Sequence, residues 1–372
     1  MAKQDNSIIC NVKKYRLGMN WSQEDLAGRI GVKRQAIYDI ESGRYLPNTA
    51  VALQLAYTFG CKVEDLFIDD KMPDKQPVHV INGEHNPSTR LALARVRDRI
   101  VGIPLKGQGS AAFGLRPADG LLNRDGKSVQ IRLPEHLLDN TIILMGCDPA
   151  FEILSYHVSR AAPHMRVHCH FASSHKAVSG LAQGIAHVAG THLHNTNGSE
   201  ANVTLASQKL TGMKGIVLAF STMEEGLMVA KGNPLGIKSI ADLAQPGIRF
   251  VNREPGAALR SLLDDHLSKA GITGSSIDGY QLEVNSHRNG AYYIACNAAD
   301  VALGLRAVAE NYELDFVPIV AARCDLVIPD DMSSHPTVKV LMDVLQSSFL
   351  RNEIDILPGY EGSVTGKTIA TF

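Results

Sequence analysis

The stretch SQEDLAGRIGVKRQAIYDIESGRYLP, Ser22 to Pro47, decides how the chain is read. Ser22 is a helix-capping residue, and Asp25 three positions later can bond back to it as a capping box. Leu26, Ala27 and Ile30 follow at helical spacing, and Gly31 ends the helix. The spacing predicts a second short helix from about Lys33 to Glu41, with Ala36, Ile37 and Ile40 inward and Arg34, Gln35 and Tyr38 outward. Gly43 stands where a left-handed residue closes a helix. Two short helices joined by a tight glycine turn make a helix-turn-helix, whose second helix enters the major groove of DNA. Arg and Gln suit that helix because each can form paired hydrogen bonds with a purine edge.

Residues 8 to 68 resemble the five-helix DNA-binding domain of the lambda repressor and Cro (XRE-type) regulators. SQEDLAGRIGV, RQAIYDIESGRYLP, the next helix TAVALQLAYTFG and the closing KVEDLF carry the resemblance. Lys33 stands where that family usually has Ser or Thr, which loses one N-cap and gains a phosphate contact. The resemblance implies double-stranded operator DNA as a partner, bound two-fold by a homodimer. Arg34, Gln35 and Tyr38 are then the base-reading candidates and Lys33 and Arg44 the phosphate candidates. It also implies that Gln23 contacts a phosphate and braces the recognition helix.

The 372 residues are too many for one small core and suggest two or three domains. A formal net charge of -1 excludes a globally basic nucleic-acid coat. Residues 1–68 carry nine Lys and Arg against seven Asp and Glu, enough for locally placed cations. No apolar signal segment opens the chain, and no run approaches the ~18–20 apolar residues of a membrane span. The six cysteines include no Cys-x-x-Cys pair, so free thiols in a reduced, cytoplasmic protein are expected.

The first domain is expected to span 1–68. Residues 69–88, polar and with three prolines, read as a linker. In 89–137, RLALARVRDRIVGIPL and SVQIRLP alternate in polarity, with Gly107, Gly109, Gly114, Gly120 and Gly126 between them. Short antiparallel strands, a β-rich connecting segment, are expected there. From about residue 138 strands and helices alternate: TIILMG then CDPAFEILSYHVSR, MRVHCHFASS then HKAVSGLAQGIA, GIRFVN then PGAALRSLLDDHLSKAG, and a last amphipathic helix near Val338 to Phe349. That pattern predicts a parallel sheet with ligands at the carboxyl ends of the strands. Extended crossings near Ser221–Ala230 and Val317–Val327 suggest two lobes on a hinge, lobe 1 about 138–225 and 325–372 and lobe 2 about 231–320.

This half, roughly 138 to 350, resembles the type II periplasmic-binding-protein fold, and in particular its cytoplasmic relatives linked to molybdate and tungstate sensing and molybdenum-cofactor biosynthesis. MGCDPAFEIL, SSHKAVSGLAQGIAHVAGTHL, EEGLMVAKGNP, IRFVNREPGAALR and AADVALGL carry the resemblance. It implies hinge closure on a small anion, molybdate or tungstate, with no cofactor required. An organic anion or a cofactor precursor is the alternative, because PGAALR lacks the hydroxyls that oxyanion binders often place after the arginine.

The residues agree with an anion site. Ser173 and Ser174 stand at a strand-to-helix junction, where free N–H groups and hydroxyls face a ligand. Arg253 lies in the matching turn of the second lobe, Ser286 and His287 open another helix, and Asp148 opens the first. Seven of the fourteen histidines fall between His164 and His194, and the strand pairs His168, His170 and His192, His194 make zinc or nickel the competing ligand. Asp264, Asp265 and Ser173 with His175 offer groups for catalysis, but no nucleophile elbow, Walker loop or dinucleotide glycine motif accompanies them, so no enzyme activity is expected.

Overall fold

The computed structural model describes residues 8–69, 76–81, 86–106, 115–195 and 199–372. It divides into two compact units, Met1–Asp74 and Lys75–Phe372. Among the expected loop glycines, Gly107, Gly109 and Gly114 lie outside the described residues.

In the first unit, helices α1 (Val12–Gly18), α2 (Gln23–Ile30), α3 (Arg34–Glu41), α4 (Thr49–Phe59) and α5 (Val63–Leu66) enclose a core of Leu26, Ile37, Ile40, Leu55 and Leu66. Strands β1 (Ile8–Cys10) and β2 (Phe67–Asp69) pair antiparallel and tie the two ends of the unit together. Local chemistry sets the helix boundaries. Ser22 and Asp25 complete both halves of the capping box, and Gly31 takes φ 70° at the end of α2. The Asn48 side chain caps α4 by accepting from Val51 N–H. Lys33, the N-cap position of α3, makes no side-chain cap.

In the second unit, β3 (Gln76–Val80), β4 (Arg90–Val96), β5 (Arg99–Pro104), β6 (Gly120–Leu122) and β7 (Ser128–Ile131) close into a barrel in the order β3-β5-β4-β6-β7. Leu91, Leu93, Ile100, Leu122 and Val129 fill it. Ala92, Ala94, Val96, Val101 and Ile103, on the other face of β4 and β5, join the large α/β core. Two-sided burial explains why the polar and apolar alternation expected here is blurred. The expected linker 69–88 is corrected: β3 lies within it, paired parallel with β5 and antiparallel with β7.

A ten-stranded sheet follows, ordered β13-β12-β14-β11-β15-β10-β8-β9 along its main path. Its strands are β8 (Thr141–Gly146), β9 (Arg166–Phe171), β10 (Val188–Thr191), β11 (Gly215–Val229), β12 (Phe250–Arg253), β13 (Glu283–Val284), β14 (Val301–Leu305) and β15 (Asp315–Pro329). Strands β16 (Tyr360–Glu361) and β17 (Thr368–Thr371) pair with β11 off that path. The expectation of a parallel sheet holds only for β8, β9 and β10 and for β12, β13 and β14. These two parallel groups are joined by β11 and β15, which run antiparallel along their whole lengths. Register shifts fall between Ala219 and Ser221 and between Glu225 and Gly226. A register shift bends a strand and re-aims its side chains. The single helix expected near Val338 to Phe349 is two, Pro336–Leu345 and Ser348–Asp355, the second capped by Ser347.

Gly146 ends β8 and Gly190 lies near the end of β10, where a side chain would collide with Phe151 at 2.5 and 2.2 Å respectively. Glycine at these positions lets Phe151 seat beneath the strand ends, at the foot of a cleft. No helix among the described residues is long and apolar enough to cross a membrane.

Candidate functional site: a buried cleft at the strand ends and a helix-turn-helix face

The cleft gathers residues that follow the carboxyl ends of parallel strands, where backbone N–H groups and helix N-termini are exposed to a ligand. Cys147 and Asp148 follow β8, Ser173 and Ser174 follow β9, His192 follows β10, Arg253 ends β12, and Ser286 and His287 follow β13. A small cavity of about 40 Å³ is lined by Cys147, Asp148, Ser286 and His287 of this set together with Phe151, Glu152, His170 and Phe171, and Ser173, Ser174, His192 and Arg253 are not in its lining.

Arg253 is 2% exposed, and no carboxylate of the described residues pairs with it. Its Nη1 lies 2.9 Å from His287 Nδ1, and its Nη2 donates weakly to the Asn285 carbonyl at 3.4 Å. Its Nε has no partner. Burial pushes the guanidinium pKa down, because a charge in a low-dielectric interior loses its hydration. A surface pair with Glu254 is not formed, since Glu254 accepts from Lys176 Nζ at 2.9 Å, linking the Ser174–Ala182 helix to the turn after β12. Glu152 Oε1 is the other buried side-chain oxygen or nitrogen without a partner among the described residues, and Glu152 lines the cavity.

The serines divide. Ser173 is buried at the N-cap of the Ser174–Ala182 helix, yet its side chain makes no capping bond. Ser174 Oγ accepts from the His192 N–H at 3.2 Å. Ser286 caps the His287–Ala295 helix by accepting from Asn289 N–H at 3.1 Å. Asp148 is fully enclosed, where Oδ1 accepts from Ala150 N–H at 2.8 Å and from Tyr360 Oη at 2.7 Å. Burial raises its pKa, partly opposed by the Tyr360 bond. Asp148 thus braces the turn before the helix, which begins at Phe151 rather than directly after Asp148.

The alternative quartet of metal-binding histidines, His168, His170, His192 and His194, does not assemble. His168 reaches Asp119 Oδ2 of the barrel at 2.8 Å, beside the Arg166–Asp119 pair. His170 lines the cavity, and burial holds it neutral with a pKa of about 4. His192 and His194 instead share Glu225, with Nδ1 to Oε1 at 2.7 Å and Nε2 to Oε2 at 2.6 Å. Burial alone would raise the Glu225 pKa, but the two histidines outweigh it and bring the carboxylate to about 2. The far nitrogen of His192, Nε2, lies 2.6 Å from Cys147 Sγ. Burial opposes charge on His192, yet Cys147 and Glu225 raise its pKa well above the ordinary value. His287 moves the other way, lowered by burial and by Arg253. The ligand atoms of Cys147, His192 and His287 all lie within 4.8 Å of one another. Cys147 and Glu225 are site residues that sequence patterning does not single out. The one signal for Cys147 is its place directly after a buried strand, ahead of Asp148.

Asp264 is bonded to Arg260 and to Tyr280 Oη, a structural arrangement away from these groups. His187 accepts from Ile143 N–H through Nδ1 and faces the Arg95 carbonyl through Nε2, joining barrel and sheet.

On the first unit, Lys33, Arg34, Gln35, Tyr38 and Arg44 are all exposed along α3 and the turn after it. Arg44 stacks over the Tyr38 ring at 5.3 Å, and Gln35 donates to Asp39 at 3.1 Å. Gln23 Nε2 donates to Glu41 Oε2 at 2.8 Å, and Arg16 clamps the same carboxylate at 2.6 and 3.0 Å. The start of α2 is thereby fixed to the end of α3.

Comparison with known proteins agrees with both halves. Residues 155–346 match the family described as PBP superfamily domain, and residues 12–66 match the helix-turn-helix family. The uncharacterized protein YvgK of Bacillus subtilis is 28% identical over 228 residues, 61% of this chain and 73% of its own length. An HTH-type transcriptional regulator of Methanocaldococcus jannaschii is 49% identical over 57 residues, 15% of this chain and 86% of its own. Among solved structures, an ABC-type phosphate transport receptor from Vibrio cholerae is 16% identical with a TM-score of 0.41, covering 59% of this chain and 99% of its own.

Proposed function

Since the chain belongs to the PBP superfamily and carries an XRE-type helix-turn-helix domain ahead of that fold, we propose that it is a one-component transcription regulator whose two-lobed domain senses a small anion. The reading rests on Arg253: a buried guanidinium with no carboxylate partner and an unpaired Nε is what an anion would complete. The free hydroxyl of Ser173 and the helix N-termini at Ser173 and Ser286 supply further donors. The Lys176–Glu254 pair suits a closed cleft. A tetrahedral dianion such as molybdate or tungstate is the first ligand to test, and an organic anion the second.

On this reading the helix-turn-helix binds a two-fold operator as a homodimer, and the protein works beside DNA in the cytoplasm. Arg34, Gln35 and Tyr38 read bases, Lys33 and Arg44 hold phosphates, and Gln23 braces α3 through Glu41. Ligand binding acts by favouring the closed lobes over the open ones, and only a difference in affinity between those states can drive a response. The test is thermal unfolding of the full chain with molybdate, tungstate, sulfate and phosphate. Saturation at about 100 times Kd stabilises a fold by about 2.7 kcal/mol. Absence of a shift with every inorganic and organic anion tried would refute the sensor reading.

A further inference from the structure

Cys147, His192 and Glu225 form a relay that simple anion binding does not use. Cys147 Sγ lies 2.6 Å from His192 Nε2, and His192 Nδ1 lies 2.7 Å from Glu225 Oε1. His194 holds the second oxygen of Glu225 at 2.6 Å, and Ser174 Oγ accepts from the His192 backbone N–H. The imidazole is therefore held at both ring nitrogens, with Nε2 turned to the sulfur, and its backbone is held by Ser174. A thiol, a base within reach of it and a carboxylate that orients the base are the parts of an activated nucleophile. The sulfur side lines the cavity shared with Phe151, Phe171 and His287. Cys169 and Cys324, buried nearby, have thiol pKa values pushed well above the ordinary value by desolvation.

The same three-residue cluster with His287 could be taken for a metal site, but its hydrogen bonds argue otherwise. A guanidinium carries only donors. Arg253 Nη1 at 2.9 Å from His287 Nδ1 therefore uses the nearer lone pair of that ring. A cation placed among these residues would also face the fixed charge of Arg253, leaving Cys147 and His192 as its two remaining ligands.

Building on the proposed anion site, we propose that Cys147 is the nucleophile that holds a small carbonyl-bearing anion, an α-oxo acid, as a reversible hemithioacetal in the cleft. The proton shared by Cys147 and His192 rests on His192 Nε2 before the ligand arrives. Sγ then attacks the carbonyl carbon, the C=O π pair moves to oxygen, and His192 returns the proton to that oxygen. Glu225 remains a carboxylate throughout, and the reverse steps release the ligand unchanged, as a sensor requires. No oxidant, reductant or co-reactant enters. The cavity of about 40 Å³ admits only a compact ligand, and His287 on its wall stands next to Arg253 for the carboxylate.

The experiment uses the full-length protein with ¹³C-labelled glyoxylate, the simplest α-oxo acid, as probe. The aldehyde carbon is expected to give a protein-bound hemithioacetal signal that is lost in Cys147→Ser and reduced at least tenfold in His192→Gln. In parallel, mass spectrometry is expected to show Cys147 alkylated by iodoacetamide faster than the exposed Cys296, with glyoxylate protecting it. Absence of the adduct at saturating glyoxylate, or alkylation of Cys147 no faster than that of Cys296, overturns the proposal. So does stoichiometric zinc that is retained on gel filtration and blocks alkylation, which would make the cluster a metal site. Wild-type protein stabilised by molybdate or phosphate that forms no glyoxylate adduct keeps the anion reading and loses this one; an adduct without any oxyanion shift keeps this one and narrows the sensor reading to organic anions.

Discussion

Replacing Arg253 by Met separates what the residue costs the fold from what it gives the ligand. In the unliganded protein its charge is enclosed, its Nε is unpaired and its Asn285 contact is long, at 3.4 Å. An unsatisfied buried donor costs about 1–3 kcal/mol, more when charged. Exchanging buried charges for apolar groups of similar volume is often neutral or stabilising. Loss of the His287 bond offsets about 1 kcal/mol of that gain. The expected net effect on the free protein is a gain of about 1 kcal/mol, or about 2 °C in Tm for a chain of this size. Ligand binding should move in the opposite direction. Truncating one partner of a buried charged pair costs about 2–5 kcal/mol, so affinity falls by about 30- to 4,000-fold. At an anion concentration giving the wild type about 2.7 kcal/mol, a thousandfold weaker variant gains less than about 0.1 kcal/mol. Thermal unfolding of wild type and variant, each with and without anion, reads both signs. A variant that unfolds several degrees earlier without ligand and still responds to the anion would refute the reasoning.

Three further outcomes are expected. Gln35→Ala should cost about 1–3 kcal/mol at one operator base pair and relax preference there; operator selection followed by fluorescence anisotropy would contradict the α3 assignment if base preference were unchanged. Glu41→Ala strands Arg16 just beneath the surface and releases Gln23. Because Arg16 keeps the Trp21 carbonyl at 2.7 Å, the loss should be about 2–3 kcal/mol rather than the full penalty of a broken buried pair; urea unfolding monitored through Trp21 measures it. Acid should weaken the second unit through His170 and His187, whose folded pKa values are about 4 and about 3. With both lowered below the unfolded value of about 6.5, the unfolded chain takes up protons first, so stability is complete above that pH and lost below it. Each histidine contributes a slope that grows to about 1.4 kcal/mol per pH unit below the unfolded pKa, giving a loss of about 3 kcal/mol for the two between pH 6.5 and 5. His187→Gln, which preserves an acceptor for Ile143 and a donor for Arg95, should halve that slope in urea titrations at the two pH values.

The helix-turn-helix was legible because everything that specifies it is local. Ser22, Asp25, Gly31 and Gly43 act within one or two turns of their own positions, and the inward residues repeat with the helical period. The strand-end residues Ser173, Arg253 and His287 were legible for a topological reason, since parallel strands deliver their carboxyl-terminal turns to one edge of the sheet. The metal quartet failed on strand order. Its assembly required β9 and β10 to be neighbours, but β8 lies between them, so His168 and His170 are carried away from His192 and His194. Alternation along β9 cannot reveal that separation, because it says which face a side chain takes and nothing about which strand comes next. The barrel was half legible: β4 and β5 were found by alternation, whereas β3 hid because Pro77 and its polar, proline-containing flanks read as loop, although it pairs with both β5 and β7.

Glu225 could not be found by local rules at all, and its position explains why the cleft can act as one element. It lies on β11 at a register shift against β15, where these strands pass from one parallel group to the other. From there its two oxygens take His192 and His194 of the first group, while His287 and Arg253 belong to the second. A buried carboxylate on the crossing strand is thus bonded to one lobe and stands within the same charge network as the other. If the lobes close on an anion as proposed, changing the distance between them changes how well Arg253 and His192 compensate that network, and the anion alters the energy of closure directly. A ligand that binds the closed state ~10⁴-fold more tightly than the open one is needed to carry the protein from one to the other. On that proposal, one buried, otherwise incomplete guanidinium is a group able to supply much of such a difference, because its contacts with an anion would form when the lobes meet and be lost when they part.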